Sequence, residues 1–163
     1  MKLWSDWRSR KAKFIANGNM QSELTSALSS SALEWRRWQG DTDEPRHAQM
    51  AAWVTTLDDD LVTTPLALAE MDHVVPRRGG EEARKHLWRD LGRGAVVVRW
   101  WADAVDETLG IARRRPELGL VDASLVALAE RLRTDRIATF DMRHFRTLKT
   151  RRGKPFTILP ADA

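Results

Sequence analysis

Three acidic residues stand where carboxylates are unusual. Glu70 falls in an apolar helical pattern with Leu66 and Ala67 before it and Val74 after it, offsets that place all four on one helix face. A carboxylate on a core-facing stripe is costly unless something compensates it. Asp122 repeats the arrangement with Leu125, Val126 and Ala129 at plus three, plus four and plus seven. Asp141 directly follows the apolar run Arg136–Phe140, at the carboxyl end of an expected strand. In open α/β sheets ligand crevices form at that edge.

Each acid also has an ordinary reading: a buried arginine partner for Glu70, a dipole-facing residue at a helix start for Asp122, a helix cap for Asp141. Taken together, they suggest a shared crevice. Clustered carboxylates raise one another's pKa unless a cation neutralises them. An all-oxygen ligand set suits Mg²⁺ or Mn²⁺. Such an ion polarises a phosphodiester and acidifies an attacking water.

Other chemistries find no support. Cysteine is absent, which excludes disulfides, thiolate metal sites and cysteine nucleophiles. There is no GxGxxG and no P-loop, and Gly79-Gly80 lacks the rest of either pattern. His47, His73, His86 and His144 form no HExxH pair; His144 reads as a surface histidine near Asp141. No serine has the GxSxG context of a nucleophile elbow.

The elements that must position the acids follow from residue 41 onward. Glu44-Pro45 opens a helix, Leu61–Thr63 forms a short strand, and Thr64-Pro65 starts a helix reaching about Val75. Gly79-Gly80 breaks the chain before a helix over 81–91. Strands are expected over 95–100, 136–140 and 156–159, and helices over about 102–114 and 121–133. Alternating strands and helices imply an α/β layered fold with a mainly parallel sheet. A chain of 163 residues fits one domain.

Residues 1–40 are different, so the expected division is an atypical segment 1–40 and a regular domain 41–163. The first forty residues contain no valine and one isoleucine but four of the eight tryptophans. No stretch there reads as a buried strand. The charge is also uneven. Residues 111–163 carry twelve Lys/Arg against six Asp/Glu, in the runs 113–115, 131–136, 143–149 and 151–154. Such clusters attract phosphate backbones, although a solvated helix face has the same composition. No apolar run is long enough to span a bilayer and no secretory signal is evident, so a soluble, cytoplasmic protein is expected.

Three segments resemble PIN-domain ribonucleases, specifically VapC-type toxins of type II toxin–antitoxin modules. They are the run Leu61–Asp72 (LVTTPLALAEMD), the run Gly119–Arg131 (GLVDASLVALAER) and the run Arg136–Phe145 (RIATFDMRHF), with Phe156–Pro160 as the family's last strand. The resemblance implies a three-layer α/β/α sandwich that binds Mg²⁺ or Mn²⁺ and cleaves RNA. It implies that Glu70, Asp122 and Asp141 are catalytic and hold the metal, with Asp72 a structural companion of Glu70. It further implies a cognate antitoxin protein and a homodimer, and no membrane partner.

The family's first strand ends in an Asp followed by Thr or Ser, a small residue and Leu. Here Leu24–Leu28 and Ser29–Leu33 carry that tail with Leu24 or Ser29 where Asp belongs, so the N-terminal strand is expected to be degenerate or missing. Two expectations follow. Either residues 1–40 derive from a frameshift or a wrongly assigned start, or the chain is a variant with a weakened site. In the second case its alternative role is to bind an antitoxin or a second copy.

Overall fold

The computed structural model describes residues 14–16, 53, 61–139 and 142–163. Five strands form one sheet: β1 (Phe14–Ala16), β2 (Leu61–Thr63), β3 (Val96–Val98), β4 (Arg136–Ala138) and β5 (Thr157–Leu159). The order is β3-β2-β1-β4-β5 and every pairing is parallel. In β2, consecutive residues point to opposite faces, yet Leu61, Val62 and Thr63 are all buried. Both faces of the sheet are therefore covered, as a parallel sheet requires. The α/β architecture expected from the pattern is the one observed.

The first forty residues do supply a strand. β1 is central: Ile15 pairs with Val62 on one side and with Ile137 on the other. It lies upstream of both stretches in which the family's first strand was sought, Leu24–Leu28 and Ser29–Leu33; of the expectation that the N-terminal strand is degenerate or missing, the degenerate form stands, since Phe14-Ile15-Ala16 is followed by Asn17 and not by Asp. A three-residue strand with neighbours on both sides takes its stability from their ladders, so local composition carries little signal. The helix expected from Glu44 lies outside the described residues except for Trp53, which is helical and buried.

Helix α1 (Pro65–Gly92) is two arms joined at Gly80, whose φ of 73° is left-handed. This is the break expected at Gly79-Gly80. In a straight helix residues 72 and 88 would stand about 24 Å apart. Instead Trp88 Nε1 donates to Asp72 Oδ1 at 2.6 Å, and Arg84 Nε donates to the same oxygen at 3.2 Å. The Arg84 guanidinium lies 4.6 Å from the centre of the Trp88 ring. These contacts hold the arms folded back on each other, and they give Asp72 its structural role.

Helix α2 (Ala104–Arg114) follows β3, with Asp106 and Glu107 in its first turn and Arg113 and Arg114 in its last, the charge order that complements a helix dipole. After a 3₁₀ turn at Pro116–Leu118, helix α3 (Gly119–Leu132) is buried continuously from Ala123 to Ala129. It packs on α1, α2 and β1. The short helix α4 (Met142–Phe145) seats Phe145 edge-to-face on Phe156 at 6.3 Å.

Near the end of α1, Asp90 is only 5% exposed, and its Oδ2 has no hydrogen-bond partner among the described residues. Burial pushes its carboxyl up, and the charges of Arg89, His86 and Arg93 offset only part of that. The folded protein thus holds this proton to a higher pH than the unfolded chain. Stability falls as pH rises from the ordinary carboxylate value through the raised one, and the loss persists above it. Asp90→Asn is expected to stabilise the protein by about 1 kcal/mol at neutral pH, with the gain vanishing below the ordinary carboxylate range. Urea titrations at neutral and acid pH measure both values.

Candidate active site

The sheet order reverses between β1 and β4, where the chain leaves β3 at one edge and returns beside the centre. The crevice of a doubly wound sheet opens at the carboxyl ends of the strands flanking that reversal. The sequence places Asp141 three residues beyond β4, but Asp141 lies outside the described residues.

Asp122 reaches this edge through α3. The helix runs into β4, so its N-terminus stands at the carboxyl end of the sheet, with Asp122 in its first turn. One buried contact confirms the placement. Thr64 Oγ1, immediately after β2, lies 2.8 Å from Ser124 Oγ, and both residues are fully buried. Thr64 also caps α1 by accepting from the Ala67 N–H at 3.3 Å, and Ser124 Oγ donates to the Val121 carbonyl at 2.7 Å. Two hydroxyls therefore tie the start of α1 to the start of α3. The Thr64 cap is legible from Thr64-Pro65. Its partner Ser124, among small and apolar residues, carries no local signal.

The Asp122 side chain is 16% exposed, and His144 Nδ1, on α4, stands 3.5 Å from its Oδ2. His144 thus borders Asp122 rather than serving as a plain surface histidine. A carboxylate in the first helical turn faces the positive end of the helix dipole.

Glu70 is exposed and makes no hydrogen bond or ion pair with a described residue. The expectation that it shares the buried stripe is corrected: the buried row of α1 is Ala67, Met71 and Val75, and Glu70 lies one position off it. Leu66 and Val74, its row-mates at a spacing of four, are half-buried. Both rows are largely apolar in sequence, and packing against the sheet chose the one without the acid.

Among the described residues no group of three or more His, Asp or Glu side chains is close enough to hold a metal ion. Asp122, with its oxygen donors turned into a half-buried edge, fits a hard divalent cation as a single ligand.

Residues 32–149 match the PIN domain. Over 123 residues the chain is 34% identical to ribonuclease VapC26 of Mycobacterium tuberculosis, covering 74% of this chain and 91% of that protein. The chain belongs to the PIN-domain family, among its VapC-type ribonucleases. The crystal structure of Mycobacterium tuberculosis VapC20, described as a sarcin–ricin loop cleaving toxin, superposes with a TM-score of 0.62 at 18% identity, covering 81% of this chain and 92% of that one. That likeness supports the fold. The matched PIN segment begins downstream of β1.

Thr64→Ala removes both the helix cap and the buried partner of Ser124. It is expected to cost about 1–2 kcal/mol. The check is a lower urea midpoint with an unchanged slope, which separates lost stability from altered compactness.

Proposed function

We propose that this chain is a metal-dependent endoribonuclease that hydrolyses RNA phosphodiesters as the toxin of a toxin–antitoxin module. Its relative VapC26 is named a ribonuclease, and VapC20 is described as cleaving the sarcin–ricin loop. The observation that carries the reading is the position of Asp122. It is a half-buried carboxylate at the crevice edge of a doubly wound sheet, on a helix start anchored by Thr64 and Ser124.

In this reading Asp122, Asp141 and Glu70 hold Mg²⁺ or Mn²⁺. The ion, when bound, supplies polarisation of the phosphodiester and acidification of the attacking water. The protein's own part is positional. Asp122 presents its carboxylate from a helix that cannot shift without breaking the Thr64–Ser124 contact, and His144 Nδ1 lies 3.5 Å from that carboxylate. Glu70 is exposed and makes no hydrogen bond or ion pair with a described residue, so no such contact competes for its carboxylate. The reading includes a cognate antitoxin, a homodimer and a cytoplasmic setting. No described helix is long and apolar enough to cross a membrane.

Asp122→Asn keeps the shape and removes the charge. It is expected to lower Mg²⁺-dependent RNA cleavage by roughly a hundredfold or more with little change in thermal stability. Chelation with EDTA should abolish cleavage by the unaltered chain. Equal cleavage by the variant and the parent would overturn the reading.

A further inference from the structure

Among the described residues, a run of cations with little acidic compensation lies away from the crevice, on the turn between α4 and β5. Lys149 forms an antiparallel bridge with Pro155, the Thr150 N–H donates to the Lys154 carbonyl at 2.8 Å, and the Gly153 N–H donates to the Thr150 carbonyl at 2.8 Å. Gly153, at φ 79°, closes the turn with a left-handed residue. This puts Arg151 and Arg152 at the tip, both exposed. The backbone N–H of Arg151 donates to the Glu130 carboxylate, which fixes the turn to the last part of α3 while leaving the guanidinium outside.

Of the four cations on the turn, only Lys154 has an acidic partner among the described residues, Asp135 at 4.0 Å and largely open to water. A contact of that length in solvent contributes little. Four like charges on one short turn repel each other, and nothing in the fold requires the guanidiniums of Arg151 and Arg152. The exposed large apolar residues among those described, Trp88, Trp100, Val105, Leu120 and Met142, all lie on other segments. A protein interface needs an apolar centre, whereas a nucleic-acid backbone is met by charge on a polar surface.

The placement is specific. Glu130 is two residues from the end of α3 and Asp122 is in its first turn, eight residues earlier, so the helix separates turn and crevice by about 12 Å. That is about three to four stacked nucleotides of one strand.

We propose that the turn Lys149–Lys154 is a second RNA site, remote from the reacting bond, that grips the phosphate backbone of a long or folded RNA. This rests on RNA being the substrate, and it adds how length and shape are selected. An RNA reaching both ends of α3 gains the turn's contacts; a fragment of about two nucleotides either side of the scissile bond cannot.

The test is a triple variant, Arg151→Gln, Arg152→Gln and Lys154→Gln, all at exposed side chains. In the Asp122→Asn background, binding of a stem-loop RNA of about 30 nucleotides is followed by fluorescence anisotropy across a series of NaCl concentrations. The slope of log affinity against log salt should fall by about 2, since each phosphate contact contributes roughly 0.7–0.9. With Asp122 intact, the triple variant should cleave a minimal RNA at the parental rate and the stem-loop with a raised KM. An unchanged slope overturns the proposal, and so does an unchanged slope accompanied by loss of a co-purifying protein, which would make the turn a protein surface. If the chain binds the stem-loop with the turn-dependent slope but cleaves no RNA, the turn's assignment stands and the nuclease reading falls.

Discussion

A single buried contact organises this molecule: the 2.8 Å hydrogen bond between the hydroxyls of Thr64 and Ser124. It joins residues 60 positions apart, at the start of two helices that follow different strands. A hydroxyl buried without a partner is costly, so each residue enforces the position of the other. Asp122 stands two residues from one partner, and the helix bearing Glu70 begins one residue after the other. The edge of the sheet where chemistry is proposed is thus set by two side chains that need not touch a substrate themselves.

Around that joint the charges separate by height. α3 carries Asp122 at its amino end and meets the basic turn at its carboxyl end, the arrangement its dipole favours. The dipole alone does not explain the excess of cations, since its effect fades within the last turn. A chain that handles a polyanion has use for both ends: carboxylates for an ion at one, free guanidiniums for phosphates at the other.

Much of the architecture can be read directly from residues. Thr64-Pro65 marks a helix start, Gly79-Gly80 a break, and the valines of 96–98 a strand, because each signal is local and strong. β1 was not legible. Phe14-Ile15-Ala16 is too short to show a period, and it becomes a strand only because β2 and β4 offer ladders on both sides. Glu70 shows the opposite failure: a clear helical period offered two adjacent apolar rows, and the sequence could not say which would be covered.

The sequence by itself determined the kinds of groups available: an oxygen-only acidic set with no thiol, on alternating strands and helices, with a basic final third. Tertiary structure decided which of them meet. It brought His144 beside Asp122, tied Thr64 to Ser124, left Glu70 in solvent and carried the Arg151–Arg152 tip to the far end of α3. The physical reason is that composition and local propensity act over a few neighbours. Juxtaposition is set by which faces must be buried and which polar groups must then find partners across the fold.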